Sequence, residues 1–142
     1  MAAEIFTEEW ARLWADEINA NQAYRDAARK WEGAIGMVMT AAADMGVPEE
    51  RVVIADLWHG ECRGARAGTT ADLADVPYHI SASPAIWRNV LAGKTDPIVG
   101  LVGGKLKLAK GSLFALLPYA KAAKELVSSA GRVDTFYPDG WD

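Results

Sequence analysis

The chain has 142 residues, of which 51% are hydrophobic and 24% are charged, and its formal net charge at neutral pH is −4. This is the length of one ordinary domain that buries roughly two thirds of its unfolded surface, so we expect a single domain over residues 1–142. An acidic chain without a basic run interleaved with aromatic residues argues against nucleic acid as a partner.

Three features of the sequence predict a cytoplasmic protein. No run of apolar residues approaches the length of a membrane span, and Glu4, Glu8 and Glu9 lie where a secretory signal has basic and then apolar residues. The single cysteine, Cys62, cannot form an internal disulfide, which fits a reducing compartment.

The charges are distributed unevenly along the chain. Residues 1–50 carry 4 basic and 10 acidic side chains, whereas residues 84–127 carry 7 basic and 2 acidic ones. A cationic segment of this kind can attract an anionic head group, a coenzyme A phosphate or, transiently, an anionic membrane. A solvated face with ordinary lysines is the simpler interpretation.

The N-terminal part of the chain predicts two amphipathic helices within residues 7–31. Thr7 is suited to cap the first helix, which presents Trp10 and Trp14 on one face. Asn21 is suited to cap the second helix, whose apolar stripe leads to Trp31.

After residue 33 the apolar period changes from that of a helix to that of a strand. The predicted strands lie at 35–40, 52–58, 61–67 and 78–82, and the first three form a meander. The turn-rich stretch 44–48 separates the first two strands, and His59-Gly60 precedes the third. The small residues of that third strand indicate close packing against another element.

Helices return in the second half. Ser83-Pro84 starts one that ends at Gly93, and Asp96-Pro97 repeats the start signal. The short turn at 98–102 is apolar on nearly every side, so we expect another element to cover it. A final helix starts after Ser112, which is suited to cap it.

The final helix has almost no polar face in its first two turns, and Pro118 should kink it. Its second apolar flank must therefore meet another helix, a partner chain or a pocket. The aromatic tail, residues 132–142, contains Phe136, Tyr137 and Trp141, which either cover a cavity mouth or fold back on the surface.

The stretch GLVGGKLKLAKG, residues 100–111, suggests a phosphate-binding loop, but the pattern fails. Val99 stands where that motif needs a glycine, and Leu106 stands where it needs Ser or Thr. The strict alternation from Lys105 to Leu108 predicts a strand with its leucines turned inward.

The segments VVIADLWHGEC and YHISASPAIWRNVLAGKTDPIVGLVGGKLKLAKGSLFALL resemble the sterol carrier protein family of small lipid-binding domains. The likeness covers about residues 33–127, and the N-terminal helices look like those of bacterial and archaeal members. The resemblance implies an α+β fold, in which helices cover a five-stranded, mostly antiparallel sheet. It also implies an apolar tunnel between the sheet and the C-terminal helices.

In the family, such a tunnel holds a fatty acid, an acyl chain or a sterol, so the resemblance implies a lipid carrier that is not an enzyme. An acyl-CoA is a further ligand of this type. The residues that we expect to bind the ligand are Met37, Met39, Trp87, Ile98, Leu101, Val102, Leu106, Phe114 and Leu117. No cofactor is implied, and the lysines of the glycine-rich stretch would face solvent.

Other chemistry has weaker support in the sequence. His59 and Glu61 would share a face of an unbroken strand and begin a metal site, but no third ligand is apparent, so we expect neither a metal nor a catalytic residue. Two alternatives stay open. In the first, the last helix forms the interface of a homodimer. In the second, the protein is a small hydrolase or isomerase that uses His79 or His59 in the same cavity.

Overall fold

The computed structural model describes residues 2–138. In chain order, its strands are β1 (Ala3–Glu4), β2 (Ile35–Met39), β3 (Arg51–Trp58), β4 (Glu61–Gly68), β5 (Tyr78–Ala82), β6 (Lys107–Lys110) and β7 (Thr135–Phe136). Its α-helices are α1 (Glu8–Asn19), α2 (Gln22–Ala27), α3 (Pro84–Leu91), α4 (Pro97–Val102), α5 (Leu113–Leu116) and α6 (Ala120–Gly131). Short 3₁₀ helices lie at Ala43–Met45, Thr70–Asp75 and Leu117–Tyr119.

Within the described residues, five strands form one mixed sheet in the order β4-β3-β2-β5-β6. Strands β2, β3 and β4 are the predicted antiparallel meander, β5 is parallel to β2, and β6 is antiparallel to β5. His59 and Gly60 form the two-residue turn between β3 and β4, with φ angles of 51° and 84°, as a hairpin turn of this length requires. The predicted α+β class and the mostly antiparallel sheet are confirmed.

The two faces of the sheet are covered differently. Met37 and Met39 of β2 point to the larger core, which the α-helices cover. Val38 between them points to the opposite face and packs in a small cluster with Val52 and Leu73, the latter from the 3₁₀ helix at Thr70–Asp75. The period of two in the sequence therefore separates a large core from a small one.

The two N-terminal helices begin at the predicted residues. The Thr7 hydroxyl accepts a hydrogen bond from the Trp10 amide at 3.4 Å, and Asn21 Oδ1 accepts one from the Tyr24 amide at 3.0 Å. Helix α1 packs against β4. This contact explains the small residues of that strand, such as the buried Ala65.

The helix signals of the second half are confirmed with one exception. Ser83 Oγ accepts from the Ile86 amide at 3.3 Å, Gly93 follows α3 with a φ of 78°, and Asp96 caps α4. Ser112 precedes α5 but makes no capping hydrogen bond with its side chain, so the prediction for that hydroxyl is wrong. Helix α5 is a single turn and begins without a side-chain cap.

The glycine-rich stretch folds as a turn leading into an edge strand. Leu106 is buried, and its amide donates to the backbone oxygen of Gly100 at 3.1 Å, so β6 begins at Lys107, two residues later than predicted. The leucines point inward as expected, while Lys105 and Lys107 are exposed. The expectation that another element covers α4 is confirmed for its inner side, which contacts α6, and is wrong for its outer side, where Val99 is 67% exposed.

Pro118 divides the final helix, as predicted. The chain passes from α5 through the 3₁₀ turn Leu117–Tyr119 into α6. Proline lacks the amide hydrogen that a continuous α-helix needs at this position, which accounts for the break. Within residues 2–138, no helix is both long and apolar enough to cross a bilayer.

The tail partly folds back on the surface. Strand β7 pairs in parallel with β1, and the Arg88 guanidinium lies 4.2 Å from the centre of the Tyr137 ring. Trp141 lies outside the described residues.

Candidate functional site

An apolar cavity of about 90 Å³ lies between the larger face of the sheet and the helices. Its floor consists of side chains from the sheet, including Ile35 and Met37 of β2, Leu57 of β3 and Ile80 of β5. These side chains point to one face because residues two apart on a strand share a side. None of the residues that line the cavity carries a charged side chain.

The roof comes from helices of the second half and from the N-terminal pair. Trp87 of α3 and Ile98 and Leu101 of α4 form one part, and Leu116 precedes the kink at Pro118. Side chains of α6, among them Leu126, close the other part. Packed protein interiors contain few voids larger than a water molecule, so this cavity is the candidate site.

Three tryptophans line the cavity, and each has its polar atom engaged elsewhere. Each indole N–H donates to a backbone oxygen: Trp14 to Leu126 at 3.0 Å, Trp31 to Gly33 at 2.8 Å and Trp87 to Val38 at 2.9 Å. The rings are fixed by these bonds and present carbon atoms to the cavity. Tryptophan thus contributes large apolar area without an unpaired donor.

Two tyrosines, Tyr24 and Tyr119, also belong to the cavity wall. Burial raises the pKa of the Tyr24 hydroxyl well above its usual value of 10.0, with a smaller contribution from Cys62, so the phenol stays neutral. The Tyr119 ring meets the Trp31 ring edge-on, with centroids 4.9 Å apart. The cavity wall is therefore apolar, and its lining contains no Asp, Glu, Lys, Arg or His side chain.

Five of the nine predicted ligand-binding residues line this cavity: Met37, Trp87, Ile98, Leu101 and Leu106. The structure places the other four elsewhere. Met39 is fully buried in the core beyond the cavity wall, while Val102, Phe114 and Leu117 are 64%, 84% and 39% exposed. Val102, Phe114 and Leu117 lie on segments that are apolar on both sides, so the sequence alone does not distinguish the inward side chains from the outward ones. Met39 shares the inward face of β2 with Met37 but is packed fully in the core.

The sequence analysis did not assign several wall residues. These are aromatic or aliphatic side chains of the helices and of the segment that follows α2, namely Trp14, Tyr24, Trp31, Tyr119, Leu126 and Val127. Trp14 and Trp31 belong to the apolar stripes predicted for the first and second N-terminal helices, although α2 ends at Ala27. A stripe that faces a cavity has the same period as one that faces solid core.

The two histidines lie away from the cavity. His79 follows Tyr78 on β5 and points to the opposite face of the sheet from Ile80, and its Nε2 donates to the backbone oxygen of Leu73 at 2.7 Å. His59 lies at the hairpin tip, where its Nε2 is 2.6 Å from Glu32 Oε2.

The other polar residues of the hairpin make separate contacts. Asp56 pairs with Arg63, with 3.0 Å between the carboxylate and the guanidinium, while Cys62 is buried against α1. Burial raises the pKa of the Cys62 thiol to about 11, so it stays protonated at neutral pH. Among residues 2–138, no three His, Cys, Asp or Glu side chains lie together in a position to bind a metal ion.

The chain closely matches solved structures. It superposes on a crystal structure of sterol carrier protein 2 with a TM-score of 0.84 and 42% sequence identity, over 92% of this chain and 99% of that chain. This chain belongs to the sterol carrier protein family. Its fold is that of a lipid-binding carrier domain, which confirms the resemblance of the sequence to this family.

Two further sterol carrier structures are similar. A conserved hypothetical protein of Thermus thermophilus, with a suggested sterol carrier assignment, has a TM-score of 0.84 and 39% identity over 100% of this chain and 97% of that chain. It supports the similarity to bacterial members. Sterol carrier protein 2 from Yarrowia lipolytica is 15% identical with a TM-score of 0.58, over 87% of this chain and 88% of that chain, and shares the fold alone. No protein-family model and no curated protein matches the chain.

Proposed function

We propose that this sterol carrier family member holds the hydrocarbon part of a fatty acid, or of an acyl-CoA, in the cavity and carries it without covalent chemistry. The single observation that supports this most directly is the composition of the cavity wall. Its residues come from both the sheet and the helices, and none of them has a charged side chain. Such a wall binds hydrocarbon through burial and leaves the polar end of the ligand outside.

The hydrophobic effect supplies enough free energy for such binding. Each buried CH₂ contributes about 0.8 kcal/mol, so a chain of roughly ten carbons gains about 8 kcal/mol before the entropic cost of association. The proposed ligand contacts are Met37, Trp87, Ile98, Leu101 and Leu106. Met37 adds an unbranched, polarisable side chain that adapts to different chain shapes.

The size of the cavity favours a flexible acyl chain over a rigid sterol. The observed volume of about 90 Å³ is smaller than the roughly 300–1,000 Å³ of typical ligand pockets, so the walls must separate to admit a long ligand. The sheet is fixed by its ladder of hydrogen bonds. Helices α4 and α5 are six and four residues long, and we propose that they move.

The enzymatic alternative has less support. A hydrolase or isomerase in this cavity needs an acid or base within hydrogen-bond reach of the ligand, and neither His59 nor His79 lines the wall. Our proposal therefore includes no catalytic residue. We also propose that the protein acts in the cytoplasm and uses no metal or cofactor. The homodimer alternative is supported by exposed apolar side chains in the same region, above all by Phe114 on α5, which is 84% exposed.

Lipid extraction and ligand binding test the proposal. Purified protein is extracted with organic solvent for mass spectrometry, and delipidated protein is titrated with a fluorescent fatty acid. We expect stoichiometric lipid in the extract or saturable uptake of the probe at one site. The absence of both would overturn the proposal.

A matched pair of variants tests whether the cavity is the site. Ala123 lines the cavity on α6, whereas Ala85 is exposed on α3. Ala123→Phe should lower the affinity for the fatty acid roughly tenfold or more by filling the space, while Ala85→Phe should leave it unchanged. Leu101→Trp repeats the test from α4 if Ala123→Phe does not fold. Unchanged uptake in folded cavity variants would show that the ligand binds elsewhere.

A further inference from the structure

A polar groove lies beside the apolar cavity. Its walls come from α3, from the end of α6 and from the segment 132–137, which contains β7. Leu91 and Ala130 line both the groove and the cavity. The polar and the apolar space are therefore neighbours, and these two side chains lie between them.

Two arginines line the groove from different elements. Arg88 belongs to α3 and is half-buried, whereas Arg132 directly follows α6 and is exposed. Arg88 precedes Leu91 by three positions, and residues three apart share a face of a helix. Helix α3 therefore presents a cation to the groove next to a side chain that lines both spaces.

The partners of the arginines distinguish these two from the rest. Of the eight arginines in the sequence, five pair with a carboxylate and Arg25 donates to a backbone oxygen. Arg88 and Arg132 form no ion pair with any carboxylate of residues 2–138. Charged side chains that leave solvent are usually paired. The half-buried Arg88 thus has positive charge available for an external anion.

Tyr137 holds the Arg88 side chain at the groove without neutralising its charge. The guanidinium carbon lies 4.2 Å from the centre of the Tyr137 ring. Burial raises the pKa of the Tyr137 hydroxyl, so the phenol is uncharged near neutral pH. A guanidinium has five N–H donors, more than one phenol oxygen accepts. Arg88 is therefore oriented and keeps N–H donors for a ligand.

The segment that closes the groove is fixed by the N-terminal part of the chain. The backbone oxygen of Asp134 accepts a hydrogen bond from the Ala3 amide at 2.9 Å. The Thr135 hydroxyl oxygen accepts one from the Trp10 indole at 3.0 Å. Because the groove is already formed, little of it must be ordered when a ligand binds.

We propose that the groove binds the ionised carboxylate of a free fatty acid whose chain lies in the cavity, with Arg88 and Arg132 as its charged partners. The inference rests on the proposed function and narrows the ligand to an acid. Arginine presents paired N–H donors that match the two oxygens of a carboxylate. A fatty acid carries an apolar chain and a charge in the same order as the cavity and the groove.

The adjacency of the two spaces favours a free acid over an acyl-CoA. In an acyl-CoA the carboxyl carbon belongs to an uncharged thioester, and the pantetheine arm separates it from the phosphates. Arg88 would then meet an uncharged group. In a free acid the charge is on the first carbon of the chain, where Leu91 and Ala130 separate groove from cavity.

Asp134 also lines the groove and reduces its positive charge. Its side chain is exposed and forms no ion pair within the described part of the chain. Together with Arg88 and Arg132 it leaves the groove with one net positive charge. A carboxylate is therefore attracted, and removal of the Asp134 charge should strengthen the attraction.

Calorimetric titration with decanoic acid and decan-1-ol at neutral pH tests the inference, because the two ligands have the same hydrocarbon chain. We expect the wild type to bind the acid roughly tenfold more tightly than the alcohol. Arg88→Gln should reduce this ratio to about twofold and leave the affinity for the alcohol unchanged. Asp134→Asn should raise the ratio about twofold.

Arg63 supplies a matched control. Its guanidinium carbon lies 4.9 Å from the centre of the Trp58 ring, but the residue lines neither the cavity nor the groove. Arg63→Gln should leave the ratio of the two affinities at its wild-type value. Arg132→Gln changes an exposed residue and repeats the test, with a loss of roughly threefold, if Arg88→Gln does not fold. Thermal unfolding checks that every variant folds.

Three results would overturn the inference. The first is equal affinity of the wild type for the acid and the alcohol, and the second is an unchanged ratio in folded Arg88→Gln and Arg132→Gln variants. The third is binding of decanoyl-CoA that is tighter than that of decanoic acid and depends on Arg88. A wild type that binds neither decanoic acid nor decan-1-ol would instead overturn the proposed function, and this inference with it.

Discussion

The indole Nε1 of Trp14 donates to the backbone oxygen of Leu126 at 3.0 Å, and both residues line the cavity. Trp14 belongs to α1 and Leu126 to α6, so this bond ties the first helix to the last. The accepting carbonyl of Leu126 lies within α6, and other residues of α6, such as Ala123 and Val127, also form the roof of the cavity. The position of α6 over the sheet therefore depends on a contact between residues 112 positions apart.

Trp14→Phe should lower the free energy of unfolding by about 1–3 kcal/mol, since it removes the donor and part of a buried ring. Urea unfolding measures the change. Trp58, which is 39% exposed, supplies the control, because Trp58→Phe should shift stability by less than about 0.5 kcal/mol. Equal effects of the two changes would show that the bond to Leu126 does not stabilise the fold.

A buried polar contact joins α2 to α6. Asn21 caps α2 through its Oδ1, and its Nδ2 donates to Ser129 Oγ at 3.0 Å and to Glu125 Oε1 at 3.1 Å. The Asn21 side chain thus has both its acceptor and its donor satisfied. One side chain therefore both starts α2 and holds it against α6.

Asn21→Ala should destabilise the protein by about 2–3 kcal/mol, because the cap is lost and the buried Ser129 loses a donor. Thr7→Ala removes a cap of the same kind that makes no such bridge, and it should cost about 1 kcal/mol. Thermal or urea unfolding of the two variants measures the loss of stability in each. A cost for Asn21→Ala no larger than that for Thr7→Ala would contradict a role of the bridge to α6.

The order of strands and helices was predictable because it depends on local signals. The caps at Thr7, Asn21, Ser83 and Asp96 and the break at Pro118 all lie in the sequence itself, and each has the expected consequence except for the uncapped start of α5. Periods of two and of three to four then separate strands from helices.

The side that each apolar helix turns inward was not predictable. Phe114 and Leu116 are two residues apart in an equally apolar run, yet one is 84% exposed and the other buried. That difference arises from the tertiary position of α5 beside α4, which no local pattern contains. The start of β6 was missed for a similar reason, since Leu106 bonds to Gly100 in a turn instead of to a strand.

Gly111 is required by a close approach to Tyr78. Its φ is 110°, and a Cβ built on it would meet Cδ1 of Tyr78, whose ring packs 5.0 Å from that of Trp31 at the cavity. Gly131, at the end of α6, has open space at its Cβ position.

Gly111→Ala should lower the free energy of unfolding by about 1–3 kcal/mol through backbone strain and the clash with Tyr78. It should also weaken fatty acid uptake, because Trp31 must move. Gly131→Ala should be neutral or stabilise by up to about 1 kcal/mol, since alanine favours the helix. Urea unfolding and fluorescent fatty acid titration measure both effects. Stability of the Gly111 variant equal to that of the Gly131 variant would refute the steric argument.

Because of Cys62, we expect the free energy of unfolding to decrease at alkaline pH. Burial raises the pKa of its thiol from 9.0 to about 11, so between these values the unfolded chain loses a proton that the folded chain retains. Stability contributed by this group is therefore complete below about pH 9 and is lost as pH rises to 11, by about 2–3 kcal/mol in total.

Urea unfolding from pH 7.5 to 10.5 measures this loss, and Cys62→Ala, which removes the thiol, should show a shallower decline over the same range. The other side chains are the same in both proteins, so the difference between the two curves reports the contribution of Cys62. The buried, protonated thiol should also react with a disulfide reagent at pH 8 much more slowly than it does in urea. Parallel pH curves for the two proteins, together with fast labelling of the folded chain, would show that the thiol reaches solvent.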